Sequence, residues 1–302
     1  MKLFPKTAFV VVAAIFAAAA YAQDAGTLKK IKDSGTIVLG TRESSGALAY
    51  TLGDGKYVGF HTEMAERIAK DIQKDLKMPK LEIKYQPVTS QNRIPLVQNG
   101  TVDLECGSTT NNAARQKDVA FAMTTYVEEG RIIVKANSPI KGIADLNGKT
   151  VATTTGTTSV QTLRKNKKAA NMDFKEVFGK DHADSFLLLE TGRADAFVMD
   201  GQILYGLRSK AKNPKDYKVL GEVLSVEPIA CMMRKDDPTF QAAVNKSIQA
   251  MVKSGELAKM YDKWFIKPIP PANQPVGLPL SAATKNAWEH PNDKPMEEYA
   301  MP

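Results

Sequence analysis

Two short segments of this 302-residue chain carry residue types suited to holding a small anion. The first is Gly107-Ser108-Thr109-Thr110, with Arg115 just beyond it, and the second is Thr155-Gly156-Thr157-Thr158-Ser159. Glycine lets backbone approach a ligand closely, hydroxyls donate hydrogen bonds without adding charge, and a guanidinium offers a planar fork matched to a carboxylate. Such chemistry holds a ligand and does not cut it. A Gly-x-Ser-x-Gly elbow and a His-Glu-x-x-His metal motif are both absent, and His61, His182 and His290 are the only histidines. No metal site and no cofactor is expected. Asp103 and Glu105, two residues apart, read as the polar face of a strand and not as a catalytic pair.

The elements that must position these segments alternate between strand and helix. Thr36 to Gly40 reads as a buried strand. From Glu63 to Ile72, Met64, Ile68 and Ile72 share one helical face with Ala65 and Ala69 beside them. Leu81, Ile83 and Tyr85 alternate as in a strand, Arg93 to Gln98 fits a short helix stopped by Asn99-Gly100, and Val102 to Cys106 fits the next strand. This order predicts an α/β fold with a largely parallel sheet covered by helices. The phrase Leu96-Val-Gln-Asn-Gly100-Thr-Val-Asp103 is echoed by Leu189-Glu-Thr-Gly192-Arg-Ala-Asp195 in the second half. In open α/β sheets ligands gather at the carboxyl ends of strands. That rule places Ser108 and Thr110 at one strand mouth and Asp200, after the strand Ala194 to Met199, at an equivalent one, so two lobes should face one cleft.

Length, charge and the amino-terminal segment bound the setting. The chain is long enough for two domains at a prior of roughly 150 residues each. Lys2 and Lys6 precede or flank the short apolar run Ala8 to Ala20, and Ala20-Tyr21-Ala22 fits a small-residue cleavage site. Residues 1–22 are therefore expected to be a signal peptide cleaved after Ala22, and the mature protein to be periplasmic. The formal charge of +8 falls to +6 without Lys2 and Lys6. Lysine and arginine are dispersed among acids with no basic stripe interleaved with aromatics, so nucleic acid is not an expected partner. Cys106 and Cys231 are the only cysteines. Export to an oxidising compartment permits a disulfide between them, and their separation neither supports nor excludes it.

The strings Thr41-Arg-Glu-Ser-Ser45, Thr89-Ser-Gln-Asn-Arg-Ile-Pro95, Glu105-Cys-Gly-Ser-Thr-Thr-Asn-Asn112, Gly156-Thr-Thr-Ser159, Lys180-Asp-His-Ala-Asp-Ser185 and Ser254 to Phe265, with Arg115 and Asp200, resemble the solute-binding proteins of amino-acid ABC transporters. Within that family the chain resembles the glutamate/aspartate-binding members, with one departure at Thr41, where histidine can stand in relatives. The resemblance implies a two-lobed periplasmic binding protein fold of type II with two crossover strands forming a hinge. Lobe 1 is expected over 27–126 and 227–271, lobe 2 over 127–226, and a C-terminal tail over 272–302 packed outside. It further implies a monomer that binds an acidic amino acid and delivers it to a membrane permease by lobe closure.

An amino acid presents a carboxylate and an ammonium, so the implied general site pairs Arg115 with the first and Asp200 with the second, supplemented by Ser108, Thr110 and Thr158. A second, side-chain carboxylate is matched by a further cationic cluster of Arg42, Arg93 and His182 beside Ser90. As alternatives, His182 could begin a helix beside Asp181, and Asp200 could cap the helix beginning at Gly201. Two other functions stay in view. One is a periplasmic dehydratase-like enzyme acting on a small carboxylic acid, for which no residue group insists on catalysis. The other is a soluble ligand-binding partner of a membrane sensor.

Overall fold

The computed structural model describes residues 26–300. The signal-peptide reading of residues 1–22 falls outside them. In chain order the first half runs α1 (Thr27–Ser34), β1 (Thr36–Thr41), β2 (Ser44–Ser45), β3 (Ala49–Gly53), β4 (Lys56–Val58), α2 (Phe60–Asp75), β5 (Glu82–Pro87), α3 (Arg93–Gln98), β6 (Leu104–Glu105) and β7 (Val119–Phe121). There follow β8 (Tyr126–Lys135), β9 (Thr150–Thr154), α4 (Thr158–Ala169), β10 (Lys175–Gly179), α5 (His182–Glu190), β11 (Ala196–Asp200), α6 (Gly201–Lys210), β12 (Tyr217–Val219) and β13 (Ser225–Ile229). The chain finishes with β14 (Met232–Arg234), α7 (Pro238–Ser254), α8 (Glu256–Tyr261), a π-helical turn over Asp262–Ile266, and α9 (Ala282–Glu289).

Two sheets organise the molecule, ordered β5-β1-β6-β14-β7 and β10-β9-β11-β8-β12, with β13 also paired to β8. The expectation of largely parallel sheets needs correction. β5, β1 and β6 are parallel, as are β10, β9 and β11, but β14 and β8 run antiparallel to their neighbours. The cause is topological: a chain that leaves one lobe and returns to it must cross in both senses. β8 and β13 are those crossings, paired antiparallel from Tyr126 opposite Ile229 to Gly130 opposite Ser225.

The echoed phrase is an echo in three dimensions as well. Gly100 and Gly192 both adopt positive φ, and their N–H groups donate to Val97 and Leu189 carbonyls at 3.1 Å each. Asp103 then exchanges two bonds with Val38, through its own N–H and its carboxylate, as Asp195 does with Thr150. Because a carboxylate here takes the place of a ladder carbonyl, β6 is shorter than the run Val102 to Cys106 suggests. The device starts β6 and β11 in the same way and aims both carboxyl ends at the interlobe cleft.

The cores follow from the patterning. Met64, Ala65, Ile68, Ala69 and Ile72 of α2 pack with Ile37 and Leu39 of β1, and Val88, Val97 and Val102 lie in a smaller cluster with α3. In the second sheet the alternation of β8 and β11 puts Ile132, Val134, Ala196 and Val198 in one cluster and Ile133, Phe197 and Met199 in another, so helices cover both faces. The C-terminal segment lies over the entry to the crossing: Trp288 donates its indole N–H to Thr125 O at 2.8 Å, and Thr284 Oγ1 accepts from Val127 N–H at 3.0 Å. Phe60, Tyr261 and Trp288 stack and abut one another beneath it. Cys106 and Cys231, next to β6 and β14, are joined by a disulfide.

Candidate functional site

Strand ends deliver the candidate residues. Arg42 and Ser90 follow β1 and β5, Arg93 opens α3, Ser108 and Thr110 follow β6, and Thr158, His182 and Asp200 lie where β9, β10 and β11 give way to α4, α5 and α6. Buried charge collects there: Arg42 is 0% exposed, Arg93 and Asp200 2% each, and Glu227 0%. Charges are seldom buried without partners, so each partner is informative.

Arg42 is the hub of one end. Its Nη2 donates to Ser90 Oγ at 3.1 Å, Asp181 Oδ1 at 2.7 Å and His182 Nε2 at 3.0 Å, and its Nη1 lies 3.4 Å from Ser108 Oγ. Ser44 also donates to Asp181, at 2.7 Å. A guanidinium has no lone pair to offer, so His182 Nε2 is the acceptor and Nδ1 carries the hydrogen, donated to Thr154 Oγ1 at 3.0 Å. Burial, then the charge of Arg42, lowers the imidazole to about 3. His182 is thus a neutral ring, which corrects its place in a cationic cluster. Asp181 is half-buried, and Arg42 holds its carboxyl below the usual carboxylate range. Arg42 therefore arrives with a counter-charge across the cleft, and Arg93 is the less committed cation: among the described residues its Nη1 donates only to Ser108 O, at 3.1 Å, and the Nε of both arginines is buried without a hydrogen-bond partner.

Arg115 and the two anion-suited loops form the other end. Arg115 is half-buried and donates to Thr110 O at 2.8 Å and, across the cleft, to Gly156 O at 3.3 Å. The hydroxyls of Thr110 and Thr158 do close on one anion, but it belongs to the protein: Glu227 Oε2 accepts from them at 2.5 and 2.7 Å, and Glu227 Oε1 accepts from Ser225 at 2.7 Å. Asp200 is not the only acid here, since Glu227, Glu128 and Glu105 are buried around it. It stands at the N-cap position of α6, but its side chain makes no cap bond there. Asp200 Oδ1 has no partner, and burial and the charge of Glu227 push its carboxyl up to about 8 against the pull of Arg93, Arg115 and Arg42. Asp103 and Glu105 are likewise buried and not a solvated strand face: Asp103 accepts from Lys30 Nζ at 2.7 Å and Glu105 from Thr109 at 2.6 Å.

The lobes meet at close range. Gly156 has φ +80°, and a Cβ there would lie 2.8 Å from Gln91 N and Cα, so only glycine admits this approach. Gln202 ties Ala47 N–H and Ser45 O to its amide at 3.2 and 3.3 Å.

Residues 37–267 match the model of the bacterial extracellular solute-binding proteins, family 3. The chain belongs to this family. It is 45% identical over 291 residues to the L-glutamate/L-aspartate-binding protein of Pseudomonas aeruginosa, covering 95% of this chain and 96% of that one. It is 44% identical over 299 residues to the glutamate/aspartate import solute-binding protein of Escherichia coli K12, covering 97% and 99%. Among solved structures, a solute receptor for L-cysteine of Neisseria gonorrhoeae aligns with TM-score 0.71 at 26% identity over 80% of this chain and 94% of that one. A mutant of ArgBP from T. maritima aligns with TM-score 0.70 at 28% identity, over 78% and 98%. The fold is the two-lobed, type II fold of periplasmic binding proteins.

Sequence reasoning missed Asp181 as the partner of Arg42, and Glu227, Glu128 and Thr154 altogether. Asp181 was legible as the neighbour of His182. Glu227 lies on a crossing strand more than 60 residues from Thr158 and carries no local motif.

Proposed function

We propose that this family member binds L-glutamate and L-aspartate in the periplasm and passes them to an ABC-transporter permease by lobe closure, as a monomer and without chemistry on the ligand. One observation carries the reading: buried carboxylates and guanidiniums share one cleft, and Asp200 Oδ1, Glu105 Oε1 and Glu128 Oε2 among the acids and Arg42 Nε and Arg93 Nε among the arginines lack hydrogen-bond partners, a setting suited to a small molecule that carries both charges. Burying such groups is costly unless something pairs them. In this reading Asp200 takes the α-ammonium. Arg115, with the N–H groups at the start of α4, takes the α-carboxylate, since the first turn of a helix has unpaired donors and favours an anion. Arg93, with Ser90, Ser108 and the outer edge of Arg42, takes the side-chain carboxylate, and His182 acts behind them by accepting from Arg42 and fixing where that guanidinium points. Charge-assisted hydrogen bonds contribute about 1.5–3 kcal/mol each, so a handful suffices for about −8 kcal/mol, near micromolar affinity.

The relatives named for glutamate and aspartate, which align over nearly their whole length, support the same ligand class. The lobe division follows: 27–126 with 227–271, and 127–226, hinged on β8 and β13, with 272–302 as an outer tail. Calorimetric titration of ligand-stripped protein with acidic, amide, basic and aliphatic amino acids tests the assignment. Tightest binding by glutamate or aspartate is expected, and tighter binding by arginine or leucine would refute it.

A further inference from the structure

We infer that Glu227, which lies outside the direct ligand set, determines which end of a ligand Thr110 and Thr158 can accept. The inference rests on the proposed amino-acid site and deepens it. A hydroxyl has one hydrogen and two lone pairs, and a carboxylate can only accept. With Thr110 Oγ1 and Thr158 Oγ1 at 2.5 and 2.7 Å from the same Glu227 oxygen, both hydroxyl hydrogens are committed to it. What those two oxygens present to the cleft is lone pairs alone. They can accept from an ammonium and cannot donate to a carboxylate. The pocket end that Asp200 marks as anionic is thereby extended by two oriented acceptors, one from each lobe, and the ligand's carboxylate is directed to Arg115 and backbone N–H groups.

Glu227 is fixed for the task. It is wholly buried, its second oxygen accepts from Ser225 at 2.7 Å, and it lies opposite Glu128 in the crossing pair, so the hinge itself carries the polarising group. Because Thr110 belongs to the β6 loop and Thr158 to α4 across the cleft, the arrangement is complete only when the lobes are together.

Glu227 is thus a positioning residue, and its effect should depend on the ammonium. Glu227→Ala, Glu227→Gln, Thr158→Val and the double variant Glu227→Ala with Thr158→Val are titrated with L-glutamate and with glutarate, which lacks the ammonium. Glu227→Ala should weaken glutamate tenfold or more and glutarate less than threefold. The double variant should be no more than about twofold worse than Glu227→Ala, because the alanine already removes what Thr158 supplies. Glu227→Gln, whose amide oxygen can still accept both hydroxyls, should restore most of the loss. Additive losses in the cycle, proportionate losses for the two ligands, or a glutamine variant as poor as the alanine one would each overturn the inference. Should Glu227→Ala not fold, Thr158→Val against both ligands together with Glu227→Gln decides by the same contrast. A wild type that prefers another amino acid refutes the acidic-ligand reading only, and the cycle is then run with that amino acid and its deaminated analogue.

Discussion

Replacing Asp200 with asparagine should abolish ligand binding and, in ligand-free protein, raise stability. Asp200 is buried, has one oxygen without a partner and makes no cap bond to α6. Burial and Glu227 push its carboxyl from 3.8 to about 8. Between those values the native state holds a proton that the unfolded state has released, so this group makes stability fall as pH rises, with the loss complete near pH 8. The displacement sets a ceiling of about 6 kcal/mol at roughly 1.4 kcal/mol per pH unit. Local rearrangement of the arginines recovers part of this in the wild type, so asparagine should gain about 1–3 kcal/mol at pH 8 and less at pH 5. On the binding side, an ammonium left unpaired in the closed site costs about 3–5 kcal/mol, at least a hundredfold in affinity. Urea unfolding of ligand-stripped wild type and Asp200→Asn at both pH values, with calorimetry on the same samples, reads both effects. A variant that is less stable at both pH values and binds glutamate normally would make Asp200 a structural group and refute the reasoning.

Arg93→Met should cost glutamate much more affinity than glutamine, because a guanidinium gains far less from a neutral amide than from a carboxylate, whereas Arg115→Met should weaken both alike; parallel titrations check this, and equal losses for Arg93→Met would misplace the charges. Gly156→Ala puts a Cβ against Gln91 backbone at a left-handed φ. Strain of about 1–3 kcal/mol should weaken binding about fivefold to a hundredfold and leave the glutamate-saturated protein more extended by small-angle scattering than wild type. Replacing Cys106 and Cys231 together by serine opens a loop closed across 125 residues, so the urea midpoint should fall by the equivalent of about 2–5 kcal/mol, and an unchanged midpoint would show that the loop is held by other contacts.

Elements with strong local signals were legible in the sequence. The apolar face of α2 and the stop at Asn99-Gly100 needed no tertiary information, and Leu96 to Asp103 with its echo read correctly because a left-handed glycine and a ladder-replacing aspartate are local devices. What could not be read was polarity that depends on juxtaposition. His182 is neutral because burial and Arg42 make it so, and Arg42 and His182 are 140 residues apart. The threonine loops were expected to close on a ligand anion, whereas the hydroxyls of Thr110 and Thr158 bond to Glu227, which reaches them from the return crossing and which no periodicity announces. The antiparallel strands were missed for a related reason, since β8 and β13 are apolar-rich runs whose direction is set by the path between lobes.

The central claim is that the buried charges around Asp200, Arg93 and Arg115 are completed by an acidic amino acid. Protein unfolded in denaturant to release any bound molecule, refolded and titrated calorimetrically with L-glutamate, L-aspartate, L-glutamine and L-arginine tests it most directly. The account predicts one site per chain, with glutamate or aspartate binding at least about tenfold, or about 1.4 kcal/mol, more tightly than glutamine and arginine giving no heat. Arginine or glutamine binding as tightly as either acid would contradict it.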